Sequence, residues 1–173
     1  VLYAEIDQFD ATKYTLDYEK LPVMDKWLLS KLNTLVKTVD ENLGNYRIPE
    51  AARALDSFVD EMSNWYVRRS RDRFWAKGMV TVAKTAAPMI PFMTEDIYQN
   101  LVRNLDPTAP ESIHLCDFPV ANEQHIDKEL EDNMEAVLKI VVIGRACRNT
   151  ANIKTKQPIG KMYVKVDFAL SEY

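Results

Sequence analysis

The chain predicts a mainly α fold, a helical bundle followed by the start of a small β-containing C-terminal appendage. Three observations carry this. Apolar residues recur at steps of three and four along most of residues 25–105 and again from Asp127. The strongest helix breakers are sparse, with four glycines and eight prolines in 173 residues, and several fall at the ends of those stripes. One alternating stretch stands apart near the C-terminus. The resulting division is an extended lead-in over 1–22, a helical domain over 23–157 and the start of the appendage over 158–173.

The lead-in has no clear period and closes on Pro22. From Asp25, the residues Leu28, Leu32, Leu35, Val36, Val39 and Leu43 form a helical stripe. That leaves Lys31, Asn33, Lys37 and Asp40 for solvent, and Gly44-Asn45 supplies a stop. A second helix starts near Pro49. Ala51, Ala52, Leu55, Phe58, Val59, Met62, Trp65 and Tyr66 make its apolar face. If it continues to Trp75 it spans about 40 Å, long enough to act as the spine of the bundle. A third helix ends at Ala87, broken by Pro88 and Pro91. A fourth is expected from Thr94 as N-cap, with Glu95 and Asp96 in its first turn, and reaches Leu105. Glu111 to Pro119 reads as a short, extended segment. The fifth helix begins near Asp127 and turns Leu130, Met134, Val137, Leu138 and Val141 inward. After a turn at Gln157-Pro158-Ile159-Gly160, Met162, Val164, Val166, Phe168 and Leu170 alternate with Tyr163, Lys165 and Asp167, as in a half-buried strand.

The bulk chemistry excludes several functions. A net charge of -4 argues against a uniformly basic nucleic-acid binder but leaves room for a local basic patch. Cys116 and Cys147 are expected to be two reduced core thiols of a cytoplasmic protein rather than a disulfide framework. No apolar run is long enough to span a bilayer, so no membrane association is expected. The chain opens on Val1 with no signal-like segment, which suggests a piece of a longer protein. No phosphate-cradling glycine loop and no nucleophile elbow occur. His114 and Cys116 lie two apart without a second pair at zinc spacing, so they predict a half-exposed histidine beside a buried cysteine, not a metal site. The carboxylates sit on faces that look solvated. No catalytic constellation is expected.

Charge placement is more informative. Residues 136–166 contain no Asp or Glu but seven cations: Lys139, Arg145, Arg148, Lys154, Lys156, Lys161 and Lys165. The preceding stretch from Glu123 to Glu135 holds six acids and one lysine. Such segregation gives a positive end able to follow a phosphate backbone, though cations complementing a helix dipole produce the same pattern. A second cluster, Asn64 to Trp75, packs four arginines and four aromatics into twelve residues. Guanidiniums grip phosphates and rings stack on bases, so Arg68, Arg71 and Arg73, with Arg69 beside them, are candidates for RNA contact. Salt bridging within the bundle is the competing explanation. Trp65 and Tyr66 continue the core stripe, so at least one of them is expected in the core.

These segments resemble a known family. Asp25-Lys26-Trp27-Leu28-Leu29-Ser30-Lys31-Leu32-Asn33 is similar to the opening of the anticodon-binding domain in class I aminoacyl-tRNA synthetases for isoleucine, valine and leucine. The stretch from Asn45 to Trp75, NYRIPEAARALDSFVDEMSNWYVRRSRDRFW, resembles the isoleucine branch in particular. So do Ala87 to Leu101 (APMIPFMTEDIYQNL), Ser112 to Pro119 (SIHLCDFP) and Arg145 to Ile159 (RACRNTANIKTKQPI). The resemblance covers nearly the whole chain in order.

It implies a mainly helical bundle of the anticodon-binding type that holds the anticodon stem and loop of a tRNA, here an isoleucine-specific one. Activation with ATP and Mg would belong to a separate catalytic domain, whose signature motifs are absent from this chain. The fragment itself would be non-catalytic, without a cofactor or metal of its own. Its partners would be the tRNA and the remaining domains of the same synthetase, in a cytoplasmic monomer. The expected tRNA-binding residues are Arg68, Arg69, Arg71, Arg73, Arg148, Lys154 and Lys156. One departure stands out: the family carries more helix between the arginine-rich segment and the Ala-Pro segment than the twelve residues Ala76 to Ala87 found here.

Two other readings remain. The equivalent domain of a valine or leucine enzyme is disfavoured by the arginine-rich segment and the Ile153-Lys154-Thr155-Lys156-Gln157-Pro158 turn. A helical protein-interaction module without RNA suits the acidic balance, and it predicts an exposed apolar groove where the tRNA reading predicts a basic face.

Overall fold

The structure, a computed structural model, describes residues 18–67, 76–154 and 156–165. Among these are five α-helices, several helical turns and no strand. The architecture is mainly α. The chain divides into two compact units between Ile126 and Asp127. The Met162 to Leu170 alternation is described only as far as Lys165, where no regular structure forms, and its remainder lies outside the described residues.

In the first unit, α1 (Val23–Gly44) is the spine. It is 22 residues long, about 33 Å. Trp27, Leu28, Leu29, Ser30, Leu32, Asn33, Leu35, Val36 and Val39 are all buried, so this helix is covered on most sides rather than along one stripe. The continuation of the second helix to Trp75, on which its reading as a spine depends, lies outside the described residues. The expected solvent position of Asn33 is corrected. Its amide donates to Leu29 O at 2.8 Å, and its side-chain oxygen accepts the Asn122 N–H at 2.7 Å, across 89 residues of sequence. One turn on, Lys37 pairs with Glu123 at 2.6 Å. The apparent solvent face of α1 is the dock for the segment around Asn122.

The second helix, α2 (Ile48–Glu61), starts with Pro49 in its first turn, where the missing N–H costs nothing. Ala51, Leu55 and Phe58 form its buried seam, while Ala52 and Val59 lie exposed beside it. Lys31 of α1 bridges to Glu61 at 2.9 Å. The helix then widens into a π-helical segment, Met62–Val67. Such a turn adds a residue to the ring closed by each hydrogen bond, and with it a rotation of the side-chain rows. Tyr66 is buried there and Trp65 half-buried, as the core expectation for this pair required. Leu28, Leu32, Phe58, Met62, Tyr66, Val67, Gly78, Met79 and Val82 enclose a void of about 20 Å³. It offers a water almost no polar partner.

The third helix, α3 (Ala76–Ala86), contributes Ala83 to a small core with Ala87, Tyr98 and Ile113. Thr94 is not an N-cap. α4 (Pro91–Tyr98) begins three residues earlier, with Pro91 in its first turn. The Thr94 hydroxyl, buried inside the helix, donates back to the Ile90 and Pro91 carbonyls, each 3.0 Å away. A second π-helical segment, Gln99–Arg103, follows. The segment after it is a short turn of helix, Ile113–Leu115, rather than extended chain. Its Ser112 cap accepts the His114 N–H at 3.2 Å.

In the second unit, α5 (Lys128–Thr150) opens on Asp127, whose carboxylate accepts the Leu130 N–H at 2.9 Å. Glu129 and Glu131 fill the first turn and Arg148 the last, the order a helix dipole favours. Leu130 is buried, Met134, Leu138 and Val141 are partly buried, and Val137 is exposed.

Candidate nucleic-acid interface

The expected cations fall into two groups. Arg68, Arg69, Arg71 and Arg73 lie outside the described residues. Arg148, Lys154 and Lys156 stand together at the end of α5. There the helix closes with a left-handed residue, Asn152, at φ 55°. The Ile153 N–H donates to Arg148 O at 2.9 Å and the Asn152 N–H to Asn149 O at 3.1 Å. This double closure reverses the chain. The Arg148 side chain then reaches over the turn, and one guanidinium nitrogen donates to Lys154 O at 3.0 Å and to Gln157 O at 2.8 Å. A further bond, Gln157 N–H to Lys154 O at 2.9 Å, tightens the loop. Arg148 therefore builds the turn, and Lys154 and Lys156 are what the turn displays. Both lysines are exposed, and no carboxylate among the described residues pairs with either. Lys139, by contrast, is paired with Glu135 at 2.6 Å.

Within this unit the chain after the turn runs back beside α5 and leaves an open groove of about 1070 Å³. Ile140, Ile143, Ile159, Met162 and Val164 line its apolar floor, and Lys139, Arg145, Arg148 and Lys165 stand among its walls. Cys147 lies on the groove and is exposed, so the expectation of two core thiols fails there. Cys116 is half-buried against the Tyr98 core.

The first unit holds a carboxylate network of a structural kind. Glu95 accepts from the Ser112 hydroxyl at 2.8 Å, the Ile113 N–H at 3.0 Å and the Gln99 amide at 2.7 Å. His114 Nε2 lies 4.0 Å from the same carboxylate. Burial pushes the Glu95 carboxyl up, but those donors and the nearby imidazole outweigh it and hold the group below its ordinary value of 4.5. Tyr98, buried beneath, donates to Pro110 O at 3.0 Å, and burial with the neighbouring Cys116 raises its hydroxyl to about 12. This cluster lashes the Pro110–Ile113 segment to α4. Among the described residues no group of three or more His, Cys, Asp and Glu could hold a metal, and none of the described helices is long and apolar enough to cross a membrane.

One exposed feature escaped the sequence reading. Tyr46, just past α1, has φ 58° and is 90% exposed, and Arg47 beside it is exposed. The sequence places a stop at Gly44-Asn45, which drew attention away from the residue that carries the left-handed turn. The signal that was available was an aromatic-arginine pair immediately after a helix stop.

Residues 25–164 match the family model described as the anticodon-binding domain of tRNA ligase. Three curated relatives, each named as an isoleucine–tRNA ligase, match along the chain. That of Clostridium novyi is 52% identical over 95% of this chain, and that of Clostridium tetani 49% over all of it. That of Dehalococcoides mccartyi is 42% identical over 95%. The chain spans 17–18% of the length of these relatives. The alignment to the Clostridium tetani protein runs over 188 positions against 173 residues here. The relative therefore carries additional internal positions.

Proposed function

Because the chain belongs to the anticodon-binding domain family of tRNA ligases, we propose that it is the tRNA-holding domain of an isoleucine–tRNA ligase. The observation that carries the isoleucine assignment is the 42–52% identity to isoleucine–tRNA ligases along nearly the whole chain. The geometry supports a binding role in a specific way. Arg148 spends its hydrogen bonds on the turn, and that turn presents Lys154 and Lys156 to solvent with no competing carboxylate. Exposed, unpaired lysines attract phosphate without base preference, so they would fix the position of the RNA rather than read it. Arg68, Arg69, Arg71 and Arg73 complete the proposed contact set.

In the full ligase, ATP and Mg would serve the catalytic domain. The chain would be non-catalytic, acting with the other domains of one monomeric, cytoplasmic enzyme. The test is a titration of the chain with fluorescent tRNA for isoleucine, and with tRNA for methionine as control, at several salt concentrations. Binding should favour the isoleucine tRNA, and log affinity should fall with log salt by about 0.9 per phosphate neutralised on duplex and about 0.7 on single strand. Absence of binding at low salt, with the chain shown to be folded, would refute a tRNA-holding role for it.

A further inference from the structure

The end of α1 departs from what the backbone favours. The Tyr46 N–H donates to Leu43 O at 3.0 Å and the Arg47 N–H to Asn42 O at 2.7 Å. This is the same double closure that ends α5, and it requires a left-handed residue at position 46. Glycine accepts that conformation freely and asparagine tolerates it, whereas a bulky side chain is strained by it. Strain of this kind is ordinarily compensated by packing the side chain. Here the residue is 90% exposed. Arg47 and Ile48 are exposed next to it, and the Arg53 side chain, 77% exposed, meets Glu50 no closer than 3.9 Å. The two backbone hydrogen bonds fix the Cα of an aromatic residue on the surface, with the Arg47 and Arg53 guanidiniums both following it in sequence.

We propose that Tyr46 is a stacking platform for an unpaired base of the tRNA, and that Arg47 contacts the phosphate beside that base. The proposal rests on the tRNA-holding reading above. It draws on a general property of single-stranded RNA, whose splayed bases stack on aromatic faces while arginines hold the backbone. An anchored backbone suits that task, because less freedom is lost when the base lands.

The test compares Tyr46→Gly, Tyr46→Phe and Arg47→Ala in the full chain, reading thermal midpoint and affinity for isoleucine tRNA. Tyr46→Gly should raise the midpoint by about 2–4 °C as the strain is relieved. It should also weaken tRNA binding roughly ten-fold, within the range found for loss of one base stack. Tyr46→Phe keeps the ring and should bind within about two-fold of the parent. Arg47→Ala should lower the salt slope by about 0.7–0.9. Unchanged affinity in Tyr46→Gly, with the parent chain binding, overturns this proposal alone. A parent chain that does not bind overturns both it and the reading beneath it. A lowered midpoint in Tyr46→Gly, or a Tyr46→Phe defect as large as that of Tyr46→Gly, overturns the stacking assignment. The first would mean the ring stabilises the fold, the second that the hydroxyl is what binds.

Discussion

Asn33 and Lys37 lie one turn apart on the first helix, and Lys154 and Lys156 lie two residues apart beyond the last. All four are polar residues in segments that the sequence assigns to the surface. In the structure Asn33 is buried and holds a backbone N–H from Asn122, and Lys37 is tied to Glu123. Lys154 and Lys156 face water, and it is their neighbour Arg148 that is engaged. A polar residue that meets a backbone group from a distant segment acts as a fastener. One whose local turn is already satisfied by a neighbour is left to meet a ligand. Hydrogen-bond bookkeeping, not polarity, separates the two.

The largest expected effect breaks the fastened side. Asn33→Ala leaves the Asn122 N–H without its acceptor and should cost about 1–3 kcal/mol, read as a drop in the thermal midpoint. A loss below about 0.5 kcal/mol, the size of an ordinary surface substitution, would mean that Asn33 does not fasten the segment. Next comes Arg148→Lys, which keeps the charge but loses the planar fork that reaches two carbonyls. It should loosen the turn by about 1 kcal/mol, seen as faster amide exchange at Gln157. It should also weaken tRNA binding, with Lys154 and Lys156 still present.

Glu95 gives a smaller, pH-dependent effect on the fastened side. Its folded-state value lies below 4.5, so the stabilisation is complete above the unfolded value and is lost as pH falls through the folded one. Glu95→Gln should therefore flatten the acid limb of the stability curve below about pH 4.5, as urea titrations at a series of pH values would reveal. The smallest effect on stability belongs to Lys154→Ala with Lys156→Ala, within about 0.5 kcal/mol. If the comparison is right, that pair should still lower the salt slope of tRNA binding by roughly 0.7–0.9 per lysine.

What the sequence made legible follows the same division. The start of α2 at Pro49, the cap at Asp127 and the stripe from Leu28 to Val39 depend on neighbours within a few residues, and each lies where expected. So does the buried Tyr66. The burial of Asn33 is set by a partner 89 residues away, beyond any local pattern. Thr94 has the residue type of a cap, but Pro91, which also suits a first turn, starts the helix earlier. The stripe of the second helix, if it runs to Trp75, is long enough for a spine, and residues 68–75 lie outside the described residues. Stripe length says nothing of how many neighbours surround a helix, and α1 is enclosed by more of them. Of the candidate site, the acid-free run was visible as composition. The division of labour between Arg148 and the two lysines was not, because it depends on where one guanidinium points. Tyr46 needed the φ angle.

The π-helical segment Met62–Val67 holds one residue more than ordinary α-helix would need to cover the same rotation. Each residue of an α-helix advances the side-chain direction by about 100°. Removing one residue from this segment would let it relax to ordinary α-helix while leaving Ala51, Leu55 and Phe58 in their seam. Fewer residues at a larger rotation each cover nearly the same angle, so the far end of the segment would keep nearly its present direction. The arginine-rich stretch begins immediately after Val67. A one-residue deletion in Met62–Val67 is therefore expected to cost little, whereas the same deletion inside Ile48–Glu61 would turn the residues after it by about 100°.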